Sequence, residues 1–338
     1  MQYSLFVGCY GEGGITRLSF DETSLRQAAS APMLNASHLC MGADKRHIYA
    51  VSETQRFQDS PGGSVHSFAI LPDGSLKEDS VRGTYGRFPC HCLASGDLLM
   101  VCNFTSGSLS RFPLNSDGTI GRPLPVLQFD APAGSRRYSR LSQCILTPEG
   151  YIAVVDNGLD RLYYYRSSEI DSRQPHAVAS AVEEGFGPRQ AVCSGDSHHL
   201  WYILCDRKSY MLVYQGSPTA RQRIGRIAIG SGRVEGVPGV LRLSPDRHLL
   251  AVTNRGPDTI SLYYLCENGI PALLLETSSR GRWPRDVQFS PDGKYLAVAN
   301  EKSSNVVLFG VSDGHLDYIT QTQVGSPEIG RASCRERV

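Results

Sequence analysis

A unit of roughly fifty residues recurs about seven times along this chain, and no other feature restricts its fold so severely. The tightest copy runs Pro284-Arg285-Asp286-Val287-Gln288-Phe289-Ser290-Pro291-Asp292-Gly293-Lys294-Tyr295-Leu296-Ala297-Val298-Ala299-Asn300, followed by Asn305-Val306-Val307-Leu308-Phe309. Each unit reads as an apolar strand, a tight turn, a second apolar strand ending in a polar pair, a third strand, an Asp-Gly type turn and a weaker fourth strand. The first turn recurs as Gly42-Ala43-Asp44-Lys45, Thr147-Pro148-Glu149-Gly150, Ser194-Gly195-Asp196, Ser244-Pro245-Asp246 and Ser290-Pro291-Asp292-Gly293. Proline with a later glycine or polar residue is the chemistry of a tight hairpin. The second turn recurs as Pro72-Asp73-Gly74, Ser116-Asp117-Gly118, Glu267-Asn268-Gly269 and Ser312-Asp313-Gly314.

Alternation of apolar and polar residues, rich in β-branched and aromatic side chains, marks the strands, as in Leu162-Tyr163-Tyr164-Tyr165. Helical periodicity is nearly absent. Units of four short antiparallel strands predict an all-β, seven-bladed β-propeller; an open array of hairpins would leave too much unpaired edge. Second strands are read at Leu5 to Cys9, His47 to Ser52, Leu98 to Asn103, Tyr151 to Asp156, Leu200 to Cys205, Leu249 to Asn254 and Tyr295 to Asn300. First strands number six, starting near His38, His91, Ser142, Arg189, Val240 and Arg285. The innermost strand of the first blade must therefore come from the C-terminus.

The C-terminal sequence does not read as that strand. Val324-Gly325-Ser326-Pro327 copies the lead-in Gly86-Arg87-Phe88-Pro89, but Glu328 to Val338 has no apolar alternation and carries Arg331, Arg335, Glu336 and Arg337. It looks like the translation of a widely used sequencing adapter. The expected organisation is one propeller domain over residues 1–327, a non-native tail over 328–338, and a lost closing strand.

Bulk properties exclude several function classes. A net charge of +1 gives no general attraction to nucleic acid or to an anionic membrane. No apolar run approaches the ~20 residues of a spanning helix, and the N-terminus reads as a strand rather than a signal peptide. Five of the ten cysteines (Cys9, Cys40, Cys102, Cys144 and Cys205) sit in apolar strand-like runs, which favours buried thiols and a reducing, cytoplasmic setting.

A propeller carries the same position of every blade to one ring around its axis. The polar pairs ending the second strands are Cys9-Tyr10, Ser52-Glu53, Asn103-Phe104, Asp156-Asn157, Cys205-Asp206, Asn254-Arg255 and Asn300-Glu301. If these and the first-strand starts share one mouth, Arg189, Arg255 and Arg285 face Asp206, Glu53, His38 and His91. Clustered guanidinium groups suit a carboxylate or phosphate, and a carboxylate or histidine among them suits a general base. The structural alternatives are turn-capping asparagines at Asn103, Asn254 and Asn300, a blade-tying Arg189–Asp206 pair, and packed core histidines at His38 and His91. Cys90-His91-Cys92 is not read as a zinc site, because strand alternation sends both thiols to the face opposite the histidine. No metal or cofactor is required.

Gly187-Pro188-Arg189, Asn254-Arg255-Gly256, Asn103-Phe104-Thr105-Ser106-Gly107-Ser108, Phe88-Pro89-Cys90-His91 and Trp283-Pro284-Arg285-Asp286 together resemble the seven-bladed lactonase family. That family includes propeller-type 6-phosphogluconolactonases and fungal carboxy-cis,cis-muconate cyclases. The resemblance implies catalytic arginines at Arg189 and Arg255 and an acidic residue at Asp206, where glutamate is usual. It also implies a histidine where this chain has Ser142, and a glutamate roughly where it has Val240. The expected function is hydrolysis of a small anionic sugar lactone. In it Asp206 activates water, Arg189 and Arg255 bind the anion or the oxyanion, and His91 stands in for the missing histidine. His38, Arg285, Glu53 and Ser142 are expected to contact substrate. The rival expectation is a propeller that has lost its chemistry and binds sugar acids or serves as an interaction platform. The sequence fixes no oligomeric state.

Overall fold

The computed structural model describes residues 3–195, 198–218, 220–231 and 236–327, together with the backbone of Arg335 and Glu336. They form seven four-stranded antiparallel sheets, each wound from an inner strand outwards, plus a two-stranded ribbon at Arg56–Phe57 and Ser60–Pro61. The second strands fall at Tyr3–Gly8, His47–Ser52, Leu98–Asn103, Tyr151–Asp156, Leu200–Cys205, Leu249–Arg255 and Tyr295–Asn300, within about two residues of the sequence reading. No helix is long and apolar enough to cross a membrane.

Burial follows from each strand's place in its blade. Leu98–Asn103 and Tyr295–Asn300 are buried at every position, because neighbouring blades cover both faces. The outermost strand Ala220–Ala228 alternates between exposed and half-buried residues. Seven apolar clusters each straddle two adjacent blades. One of them joins the last blade to the first, packing Tyr3, Leu5, Leu18 and Phe20 against Tyr295, Ala297 and Leu308. Tyr3 stacks on Phe20 at 4.9 Å between centroids, and its hydroxyl donates to Asp292 at 2.7 Å. The ring is therefore closed by side-chain packing.

Among the described residues, the inner position of the first blade is filled by Arg335–Glu336, paired with Ser4 and Tyr3, whereas the other inner strands run six or seven residues. The rest of the expected non-native tail lies outside the described residues. Replacing residues 328–338 with an alternating apolar strand should bury two or three further side chains, at ~1.5–3 kcal/mol each. The expected result is a melting temperature raised by on the order of 10 °C. Equal midpoints for the two chains would refute the idea that this strand is missing.

One irregularity sets up the functional site. Each of the six full inner strands carries a β-bulge near its start, between Ala36 and His38, Pro89 and His91, Leu141 and Gln143, Pro188 and Gln190, Pro238 and Leu241, and Pro284 and Asp286. A bulge leaves one residue unpaired and re-aims its side chain. The extra residues are Ser37, Cys90, Ser142, Arg189 and Arg285, with Gly239 and Val240 together in the sixth blade. The first-strand starts therefore do not form one ring: Ser142, Arg189 and Arg285 occupy the bulge positions. His38 and His91 stand one step further in, in register with Gln143, Gln190 and Asp286.

Candidate active site

The bulges and the second-strand ends meet in a cavity of about 230 Å³ on the propeller axis. Six of the eight residues expected at the site line it: His38, Glu53, His91, Ser142, Arg189 and Arg285. The other two, Asp206 and Arg255, stand just behind that wall. Asp206 Oδ2 is 3.6 Å from Arg189 Nη1, and Asp206 also lines a second cavity of about 460 Å³ together with Asn254 and Glu276. The Arg189–Asp206 pair thus lies between the two cavities. It joins two strands of one blade, so it does not tie blades together. The tie between blades is Asn157 Nδ2, which donates to Asp206 Oδ1 at 3.0 Å.

Local backbone explains how these groups are held. Gly187 adopts a left-handed φ of 65°, and a Cβ there would meet Arg207 at 2.7 Å and Asp206 Oδ1 at 3.0 Å. Only glycine brings the chain past Asp206 in this way. Arg189 Nε then donates to the Gly239 carbonyl at 2.7 Å. Arg255 is fixed by donation from Nε to Val237 O at 3.2 Å and from Nη2 to Pro238 O at 2.9 Å. Trp283 sits under the Arg255 guanidinium at 5.7 Å and under Lys302 Nζ at 3.4 Å. Arg285 Nε faces Glu301 Oε2 at 3.6 Å. Asn103 and Asn254 donate to Ser108 and Ser110, and to Thr259 and Ser261, inside their own blades, so they serve the scaffold.

The electrostatics are dominated by the burial of charge. Burial first, and then the charge of Arg285, push the Arg189 pKa down, against the pull of Asp206. Arg255 is lowered to about 9, by burial first and then by Arg189 and Arg285. For Arg255 the two neighbouring arginines are larger causes than the carboxylates Asp206 and Glu301, and an anion bound beside the group would offset that penalty.

The two histidines differ from expectation. His38 Nδ1 accepts the Cys92 backbone N–H at 3.1 Å, and His91 Nδ1 accepts that of Cys144 at 3.5 Å, each from the next blade. Their rings lie 3.9 Å apart between centroids. A neutral imidazole that accepts at Nδ1 carries its proton on Nε2. His91 is thus held as a neutral donor, and the same holds for His38. Nor does His91 replace the histidine that Ser142 displaced: the blade-three counterpart of Ser142 is Cys90, and that of His91 is Gln143. The bulge also overturns the alternation argument, since Cys90 and His91 both line the cavity and Cys92 Sγ lies 3.4 Å from His38 Nδ1. Burial, reinforced by Glu53, pushes the Cys90 thiol far up, so it stays protonated.

Seven cavity residues were not among the expected site residues: Ser37, Cys90, Phe104, Gln190, Val240, Arg242 and Asp286. Gln190 Oε1 accepts from the Leu241 N–H at 2.9 Å and from Arg242 Nη1 at 3.1 Å, and Arg242 pairs with Asp286 at 2.9 Å. Gln143 makes the equivalent link to Ala191 at 2.7 Å. The signal that could have found Gln190 and Asp286 is a polar residue directly after the bulge position in an otherwise apolar strand.

Elsewhere, Ser64 Oγ lies 2.9 Å from His66 Nε2, and His66 Nδ1 bonds Glu78. This has the connectivity of a nucleophile, base and acid. Ser64 is buried and does not line the axial cavity, so the three residues are read as a structural network.

A family model described as "Lactonase, 7-bladed beta-propeller" matches residues 4–330. The chain is 25% identical over 324 residues to a 6-phosphogluconolactonase of Bacillus subtilis, covering 91% of each chain. It is 26% identical over 319 residues to a 6-phosphogluconolactonase of Formosa agariphila, covering 86% of each. A solved periplasmic gluconolactonase of Pseudomonas aeruginosa superimposes with a TM-score of 0.88 at 24% identity, over 99% of both chains.

Proposed function

This chain belongs to the seven-bladed β-propeller lactonase family, and from that premise we propose that it hydrolyses an anionic sugar-acid lactone, of which 6-phosphogluconolactone is the substrate named for its relatives. The observation that carries this reading is the pair Arg189 and Arg285 on the cavity wall, with the desolvated Arg255 behind them, its pKa lowered by both. Arg285 holds the anionic group, and Arg255 adds its charge from behind the cavity wall. Arg189 and the Nε2–H of His91 donate to the oxyanion that forms when water adds to the lactone carbonyl, and fixed donors of this kind need no reorganisation during the reaction. His38 and Ser142 contact the sugar.

Asp206 acts behind the cavity wall. With one oxygen held by Asn157 and the other facing Arg189, it orients the guanidinium and influences the reacting water at one remove. The test is hydrolysis of freshly made 6-phosphogluconolactone in a pH-stat, with spontaneous opening subtracted. Wild-type turnover is expected, and Asp206→Asn should lower kcat/KM by roughly 10- to 100-fold through misplacement of Arg189. Arginine-dependent binding of 6-phosphogluconate without turnover would favour the rival reading, a propeller that binds sugar acids. Ser142 in place of histidine, with its hydroxyl turned to Val155 O at 3.4 Å and Pro188 O at 3.5 Å, is the observation behind that rival.

All nine described cysteines are free thiols, which supports a reducing compartment and hence the cytoplasm. The Pseudomonas neighbour, by contrast, is periplasmic.

A further inference from the structure

We propose that Glu53 is the catalytic base of this site, the group that takes the proton from the attacking water and returns it to the departing ring oxygen. The inference rests on the lactone-hydrolysis reading and goes beyond it by moving the proton acceptor from Asp206 to the opposite wall of the cavity.

Four carboxylates lie on or next to the arginine cluster. Three are committed. Asp206 is held by Asn157 and faces Arg189. Glu301 faces Arg285. Asp286 pairs with Arg242 at 2.9 Å and accepts the Val287 N–H at 2.7 Å. Glu53 lines the axial cavity, half-buried, at the end of the second strand of blade two, and its carboxylate makes no hydrogen bond or ion pair to any described residue. A base must present a free lone pair within reach of the water it deprotonates, and among the four only Glu53 has its oxygens uncommitted. Across the cavity it faces Arg189, Arg285, His38, His91, the Cys90 thiol and the Arg242–Asp286 pair. The histidines are locked as Nε2–H donors and the thiol is protonated, so neither competes for the proton.

The step balances without a co-reactant. Water oxygen bonds to the lactone carbonyl carbon while its proton passes to Glu53, and the carbonyl electron pair moves to an oxyanion held by Arg189 and His91. Collapse of the oxyanion re-forms the carbonyl and breaks the bond to the ring oxygen. That oxygen leaves with the proton from Glu53, and the new carboxylic acid releases its own proton to solvent.

The experiment is the full chain with fresh 6-phosphogluconolactone, comparing wild type, Glu53→Gln and Glu53→Asp from pH 5 to 9. General-base removal costs about 100- to 10,000-fold. Glu53→Gln should therefore lose at least about 100-fold in kcat and keep KM within about threefold, while Glu53→Asp recovers part of the lost rate. Melting temperatures read alongside show that the variants fold. Wild type active with Glu53→Gln within threefold of it overturns the assignment alone. A wild-type rate equal to buffer overturns the lactonase reading and this assignment together.

Discussion

Replacing Arg189 with alanine is expected to lower kcat/KM for 6-phosphogluconolactone by about 100- to 1,000-fold, the cost of removing one preorganised oxyanion donor. The same change should leave the melting temperature unchanged or higher. A buried guanidinium normally supports its surroundings, but this one is desolvated beside Arg285 and repels Arg255. Removing it relieves both like-charge contacts and gives up one bond to the Gly239 carbonyl and a 3.6 Å approach to Asp206. Loss of activity together with preserved stability is the pattern of a group retained for function, since natural sites trade stability for chemistry. If Arg189→Ala melted several degrees lower while hydrolysing the lactone normally, the residue would be structural.

The second large effect is on ligand binding at high pH. Arg255 is held down to about 9 by burial and by its two arginine neighbours. Below that pH the guanidinium is charged in the empty site, and an anion binds with no proton exchanged. Above it the empty site sheds the proton, and an anion, by favouring the charged form, must draw it back. Affinity for the product 6-phosphogluconate should thus be flat near pH 7 and fall as pH rises through about 9, approaching tenfold per pH unit. Calorimetry in two buffers of different ionisation enthalpy should detect proton uptake at pH 10 and none at pH 7. Equal affinity at both values, with no uptake, would mean that the three arginines do not share the anion.

The architecture was legible because its signals are local and repeated. Ser-Pro-Asp and Asp-Gly turns set the hairpins, alternation set the strands, and the seven second strands lie where the turns put them. Six of the eight expected residues line one cavity, since circular stacking makes corresponding strand ends meet, but Asp206 and Arg255 do not line it. What failed was the one-residue register of the inner strands. A bulge has no sequence mark of its own here, so Ser142, Arg189 and Arg285 were placed in one ring with His38 and His91, which sit a step deeper. The same slip turned Cys90 away from a cavity it lines, and made His91 a substitute for a position that belongs to Cys90. The protonation of the histidines was out of reach for a different reason. It is set by backbone N–H groups of Cys92 and Cys144, one blade away, and that contact exists only once the ring has closed. Glu53 was visible as one polar residue among several; its distinction is the lack of a partner among the described residues, and only the packed site reveals that.

The central claim is that Arg189 and Arg285 on the propeller axis, with Arg255 behind them, form the anion site. A crystal structure of the protein with 6-phosphogluconate bound tests it most directly. The account predicts the phosphate or carboxylate of the ligand within hydrogen-bonding distance of Arg189 and of Arg255 or Arg285, with the rest of the molecule in the axial cavity beside Glu53 and His91. Ligand bound only in the outer cavity beside Asn254 and Glu276, with the arginines untouched, would contradict it.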